Sequence, residues 1–209
     1  MQLIGMLDSP YVRRTAISLR CLGLSFEHRA VSVISTFAEF QAINPVVKAP
    51  TLVCDNGDVL MDSGLIIDYA ETLAGSSLLP RALPERQRAL KQLGLALAAC
   101  EKGVQRVYEL NLRPVEKQHE PWLARVQGQM LAACAGLEQS LVGLPVPGSM
   151  AILDQASLTS AVVWGFLRSM APEVVLEADY PAWAALSAAA EQLPVFLEFP
   201  PVGPGVRAP

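Results

Sequence analysis

Ala49-Pro50-Thr51-Leu52-Val53-Cys54-Asp55-Asn56-Gly57-Asp58-Val59-Leu60-Met61-Asp62-Ser63 decides how the chain is read. Thr51 to Cys54 and Val59 to Met61 are short strand-like runs. Asn56-Gly57 between them supplies the positive φ that a tight hairpin needs. Either Asp62 or Ser63 can then cap an apolar helical pattern over Leu65 to Leu73. The stretch reads as strand, turn, strand, helix.

Upstream, the element types alternate. Met1 to Met6 suits a buried strand, and Pro10 to Leu22 is a helix with apolar positions at Val12, Ala16, Ile17, Leu19 and Cys21. Phe26 to Val33 alternates as a second strand, and Thr36 to Ile43 is a short helix or turn. The order is β-α-β-α-β-β-α over residues 1–74. Gly75-Ser76-Ser77-Leu78-Leu79-Pro80 carries turn residues, and 75–84 reads as a linker. From Pro84 onward no strand pattern is found. Glu85 to Leu112, Trp122 to Leu141, Leu153 to Met170 and Pro181 to Gln192 are helical, so 85–209 is expected to be an all-helical domain. Phe199 to Pro209, with four prolines, is expected to be an extended tail.

Composition narrows the function. The 209 residues are 52% hydrophobic and 17% charged, too apolar for a disordered chain and ample for a core. The formal charge is −4, and neither the first 79 residues nor the remainder is basic, which argues against a nucleic-acid partner. Apolar runs such as Leu93 to Cys100 fall far short of the ~20 residues of a membrane span, so no membrane association is expected. No secretory leader is visible. Cys21, Cys54, Cys100 and Cys134 form no CxxC pair and have no His at metal-ligand spacing, so they read as reduced core thiols of a cytoplasmic protein without a metal. His28 and His119 are read as structural or solvated.

Three places have the residue types for chemistry. Ser9, before Pro10, is a helix cap; its hydroxyl and the positive helix end could equally hold an anion or favour a thiolate. Pro50, in Lys48-Ala49-Pro50, either begins an edge strand or follows a cis bond that turns the Ala49 main chain toward an extended peptide-like ligand. Asp62 and Ser63 cap a helix, or take the ammonium and carboxylate of an α-amino acid end group.

In this order, on this element pattern, the three places resemble the cytosolic glutathione S-transferase superfamily, and within it serine-type, bacterial-like members. The resemblance spans nearly the whole chain, with its motifs in the first 70 residues. It implies a thioredoxin-like α/β domain followed by an all-α domain. Ser9-Pro10-Tyr11 is similar to the Ser-Pro-Phe element whose hydroxyl stabilises the glutathione thiolate, so Ser9 is the expected catalytic residue. Ala49-Pro50 matches the cis-proline position that pairs with the cysteinyl part of glutathione. Lys48 falls where a side chain reaches the glycyl carboxylate, and Asp62-Ser63 matches the pair that grips the γ-glutamyl end. The implied activity is conjugation of glutathione, as co-substrate, to a small hydrophobic electrophile; the alternative is a non-catalytic glutathione-binding or ligand-carrying protein. A homodimer is also implied. Tyr11, Tyr108, Leu112 and Trp164 are the expected wall for the hydrophobic substrate. Arg106 and Arg113 either attract an anionic substrate or line a solvated face.

Two departures stand out. Ala151 occupies the Ser/Thr position of the family's Ser/Thr-x-x-Asp capping box, leaving the helix to rely on Asp154 and main-chain partners. Ser9 replaces the Cys of reductase-like members, so mixed-disulfide chemistry at that position is disfavoured, and the Ser-Ser-Cys element of the isomerase-like branch is missing.

Overall fold

The computed structural model describes residues 1–206, apart from the side chain of Ala151; the last three residues of the expected tail lie outside this range. The elements run β1 (Gln2–Ile4), α1 (Pro10–Cys21), β2 (Glu27–Arg29), α2 (Phe37–Ile43), β3 (Thr51–Val53), β4 (Val59–Met61), α3 (Ser63–Ala74), α4 (Leu83–Leu112), α5 (Glu120–Leu141), α6 (Gln155–Met170), α7 (Pro181–Ala190) and α8 (Pro194–Glu198). Two compact units result. One holds Met1–Leu78 together with Pro194–Gly205, and the other holds Leu79–Leu193.

The first unit is a βαβαββα sandwich around a sheet in the order β2-β1-β3-β4. β1 and β2 are parallel, with α1 as the crossover between them; β3 is antiparallel to β1 and β4 to β3. Leu3 and Ile4 point to opposite faces of β1 and are both fully buried, so both faces of the sheet are covered. Ile4 packs with Val31 and with Phe40 of α2. α1 packs against β1 and against α3. The hairpin closes as its turn chemistry demands, with Gly57 at φ 90 and its N–H donated to the Cys54 carbonyl at 3.0 Å.

β2 is shorter than the pattern over Phe26 to Val33 predicts. It is an edge strand, and after Arg29 the chain turns so that Val31 enters the core rather than extending the ladder. The tail differs too. Pro194–Gly205 belongs to the first unit, not to the helical domain expected over 85–209.

The second unit is all-helical. α4 packs against α5 and α6, and α7 against α6 and α5. Asp154 caps α6: its Oδ1 accepts the Ser157 N–H at 2.7 Å, and Ser157 Oγ accepts the Asp154 N–H at 3.0 Å. The capping box therefore runs forward from Asp154 to Ser157, so the helix relies on Asp154 as expected and gains Ser157 as the second member of the box. Glu138 of α5 accepts the first free amides of α7, from Ala182 and Trp183, each at 2.8 Å.

Candidate functional site

The site grows from three chain segments of the first unit. The first is the start of α1. Ser9 is its N-cap residue and Pro10 its first helical residue, yet the Ser9 side chain makes no capping hydrogen bond. The cap is held by main chain alone, through the Arg13 N–H to the Ser9 carbonyl at 2.9 Å. The hydroxyl at this positive helix end is thus not consumed by the cap.

The second segment precedes β3. Ala49-Pro50 is cis. Buried Asn44 fixes the loop before it: its Oδ1 accepts the Val46 N–H at 3.0 Å and its Nδ2 donates to Thr51 Oγ1 at 2.8 Å. Thr51 Oγ1 in turn donates to the Lys48 carbonyl at 2.7 Å. Among the described residues, the main-chain N–H and C=O of Ala49 have no hydrogen-bond partner. Gly5, at the end of β1, brings the first two segments together. A β-carbon there would lie 2.6 Å from Val12 Cγ2 of α1 and 3.3 Å from Ala49 Cβ. His28 Nε2 holds the Gly5 carbonyl at 2.8 Å, which gives that histidine its structural role.

The third segment is the start of α3. Asp62 caps it through Oδ1, which accepts the Gly64 N–H at 2.9 Å. Its Oδ2 lies 3.7 Å from Lys48 Nζ, a half-exposed ion pair linking the second and third segments. Ser63 is 5% exposed, and its Oγ accepts a hydrogen bond from Arg14 Nη1 at 2.8 Å. The guanidinium engages one lone pair of the Ser63 hydroxyl, which leaves its O–H as a donor. Val47 at φ 52 and Asp62 at φ 76 are the two non-glycine residues with positive φ among the described residues, and both flank this site. Backbone strain of this kind concentrates where a ligand must be met.

Arg14 is a site residue that sequence reasoning missed. The available signal was a charged residue among the apolar positions of α1, next to a second arginine that is also buried. Ser9, Lys48, Ala49, Pro50, Asp62 and Ser63 all lie in the first unit, on segments joined by Gly5 and by the Lys48–Asp62 pair.

The family follows from this geometry and from its relatives. Residues 3–78 match the family model "Glutathione S-transferase, N-terminal domain". The GST-like protein YibF of Escherichia coli is 30% identical over 82% of this chain and 85% of its own. The chain belongs to the glutathione S-transferase superfamily. A glutathione transferase family member from Pseudomonas fluorescens Pf-5, solved with bound glutathione, superposes with a TM-score of 0.80 at 30% identity, covering 100% of this chain and 98% of that one. A glutathione S-transferase from Methylobacterium radiotolerans, in complex with glutathione sulfonate, gives 0.84 at 25% identity, covering 100% and 95%.

The four residues expected to form a substrate wall differ in exposure. Tyr11, in the first turn of α1, is half-buried. Tyr108 and Leu112, one turn apart on α4, are partly exposed, and burial raises the Tyr108 phenol above its usual range. Trp164 is corrected to a core residue: it is 7% exposed and packs against Trp183 and Tyr180 at ring-centroid distances of 5.2 and 6.3 Å. Arg106 and Arg113 are paired with Glu173 at 2.6 Å and Glu109 at 2.9 Å, so neither presents a free charge. Among the described residues no cluster could hold a metal ion, and no helix is long and apolar enough to cross a membrane.

Proposed function

We propose that the chain is a serine-type glutathione transferase, with Ser9 stabilising the thiolate of glutathione for attack on a small hydrophobic electrophile. The observation that carries this reading is the Ser9 hydroxyl, set at a helix N-terminus and left out of the helix cap. A free thiol has a pKa of about 8.5 and is mostly protonated at neutral pH. A hydroxyl donor together with a helix N-terminus lowers such a pKa by roughly one to two units, each worth about 1.4 kcal/mol. The thiolate then forms a sulfur–carbon bond, and the electrophile's leaving group departs with its electron pair.

The donor set fits glutathione. The unpartnered Ala49 N–H and C=O suit its peptide backbone, as in strand addition. Ser63 O–H suits the γ-glutamyl carboxylate and Asp62 its ammonium, and Lys48 suits the glycyl carboxylate once it exchanges its half-exposed pair with Asp62 for the ligand.

We also propose a homodimer in the cytoplasm. Leu65, Tyr69 and Leu73 form an exposed stripe at four-residue spacing on α3, and Leu83 and Leu90 are exposed at seven-residue spacing on α4. Such apolar stripes suit an isologous interface. Four free cysteines, three of them buried, suit a reducing compartment. Sedimentation velocity at micromolar concentration should give a two-chain particle; a single-chain particle rejects the dimer.

Calorimetric titration with glutathione, followed by a conjugation assay with a chlorinated nitroarene, tests the activity. Binding with turnover that collapses in Ser9→Ala is expected. Turnover unchanged in Ser9→Ala would remove Ser9 from the mechanism, and binding without turnover would select the carrier alternative.

A further inference from the structure

Residues 196–205 are tied along α1 at successive stations. Arg20 makes a two-toothed contact with Glu198, at 3.1 and 2.5 Å, and lies over the Phe26 and Phe199 rings. Arg13, 2% exposed, donates from Nε to the Phe199 carbonyl at 2.8 Å and lies 5.4 Å from the Phe196 ring centroid. The last station is at the helix start, where Asp8 Oδ2 accepts the Gly205 N–H at 2.8 Å. A β-carbon on Gly203 would fall inside the Asp8 carboxyl group, so only glycine lets the main chain lie this close. The segment thus leaves Arg20 and Arg13 and finishes at Asp8, the residue before Ser9.

Its sequence suits a strap. Pro200, Pro201 and Pro204 fix φ at three of its six positions, so little conformational entropy is lost on docking. Gly203 gives the close approach, and Gly205 adopts φ +68 to present its N–H. Asp8 lies outside α1, and its carboxylate meets a main-chain amide 197 residues away in sequence. Nothing in the glutathione-binding set uses it.

We propose that Asp8 is a positioning residue, which latches the strap 200–205 beside Ser9 and so restricts the size of electrophile that reaches a sulfur held there. The latch is a charge-assisted hydrogen bond, strong enough to hold a short pre-organised segment and weak enough to open. The consequence for conjugation rests on the transferase reading above. The barrier itself does not, because it concerns access to residue 9.

Access is measurable without glutathione. In a Ser9→Cys variant, alkylation rates are compared for N-ethylmaleimide and for a bulky polyethylene-glycol maleimide, with the four native thiols subtracted using the same reagents on Ser9 protein. The large-to-small rate ratio should be low. It should rise about tenfold, the weight of one charge-assisted hydrogen bond, on adding Asp8→Ala or on ending the chain after Pro201. The two changes together should exceed neither alone, since both open the same latch, and Asp8→Asn, which keeps an acceptor, should fall between. Using the ratio cancels any effect of the Asp8 charge on thiol reactivity. In the otherwise unaltered chain, hydrogen exchange at the Gly205 amide should quicken about tenfold in Asp8→Ala, which reads the latch even if truncation harms folding. A size ratio unchanged by Asp8→Ala, by the truncation and by the two together overturns the proposal, as does unchanged Gly205 exchange in Asp8→Ala. Absence of glutathione binding in calorimetry would instead strike the transferase reading and leave the access result standing.

Discussion

Arg14 Nη1 donates to Ser63 Oγ across 2.8 Å, joining the first turns of α1 to the first residue of α3 with both side chains buried. The bond orients the Ser63 hydroxyl with its oxygen accepting, and in the proposed site its proton is the donor to the ligand. Ser63→Ala removes both the guanidinium's acceptor and the ligand's donor. A hydrogen bond to a charged group is worth about 1.5–3 kcal/mol, so glutathione should bind roughly 10- to 100-fold more weakly by calorimetry. Ser63→Thr, which keeps the hydroxyl, should bind closer to wild type. Equal affinities in Ser63→Ala and wild type would exclude Ser63 from the ligand's contacts.

Asp62 combines a cap with an unfavourable backbone, at φ 76 and ψ 124. Glycine removes strain of about 1–3 kcal/mol, while losing a cap costs about 1 kcal/mol. Asp62→Gly should therefore keep its unfolding free energy within roughly 1–2 kcal/mol of wild type in urea melts, by that same balance. Its glutathione affinity should still drop about tenfold, because the carboxylate for the ammonium is gone. A variant that loses stability heavily while retaining affinity would make Asp62 structural only.

Much of this organisation was legible in the sequence because it is carried by local chemistry. The Asn56-Gly57 turn, the Pro10 helix start and the apolar periodicity of α1 each act within a few residues, and they place Ser9, Asp62 and Ser63 at helix starts. What escaped was non-local. Arg14 looks like any polar residue until α3 brings Ser63 to it. Asn44 looks like a turn residue until β3 brings Thr51 beneath it. The tail reads only as extended, since what holds it comes from Asp8, Arg13 and Arg20 nearly two hundred residues away. Trp164 was misplaced for the converse reason. Helical spacing puts an aromatic on a face, and only the packing of α6 on α7 tells which face is core.

Glu138 supplies the cap that the start of α7 lacks in its own sequence. The N-cap position there is Tyr180, which makes no side-chain cap bond, and the Ala182 and Trp183 amides go to Glu138 instead. Glu138→Ala leaves two amides without their acceptor and should cost about 2 kcal/mol or more in urea or thermal melts. Glu138→Gln, with one acceptor oxygen, should recover part of that. Glutathione affinity per folded molecule should not change, because Glu138 belongs to the helical unit and the proposed binding residues to the other.

Alkaline pH should weaken the fold through two thiols. Burial raises Cys21 from 9.0 to about 11 and Cys134 from 9.0 to about 12. Above pH 9 the unfolded chain releases these protons while the folded chain retains them. The unfolded state then binds fewer protons, so stability falls as pH rises. The contribution is intact below pH 9 and is lost progressively up to about 11 for Cys21 and about 12 for Cys134. Urea melts at pH 8, 9 and 10 should show this decline, and Cys134→Ala should make it shallower. Lysines and tyrosines titrate in the same range in both proteins, so the difference between the two slopes isolates the thiol. Identical slopes would mean that Cys134 ionises as readily in the folded chain as in the unfolded one, contrary to its complete burial in the helical core.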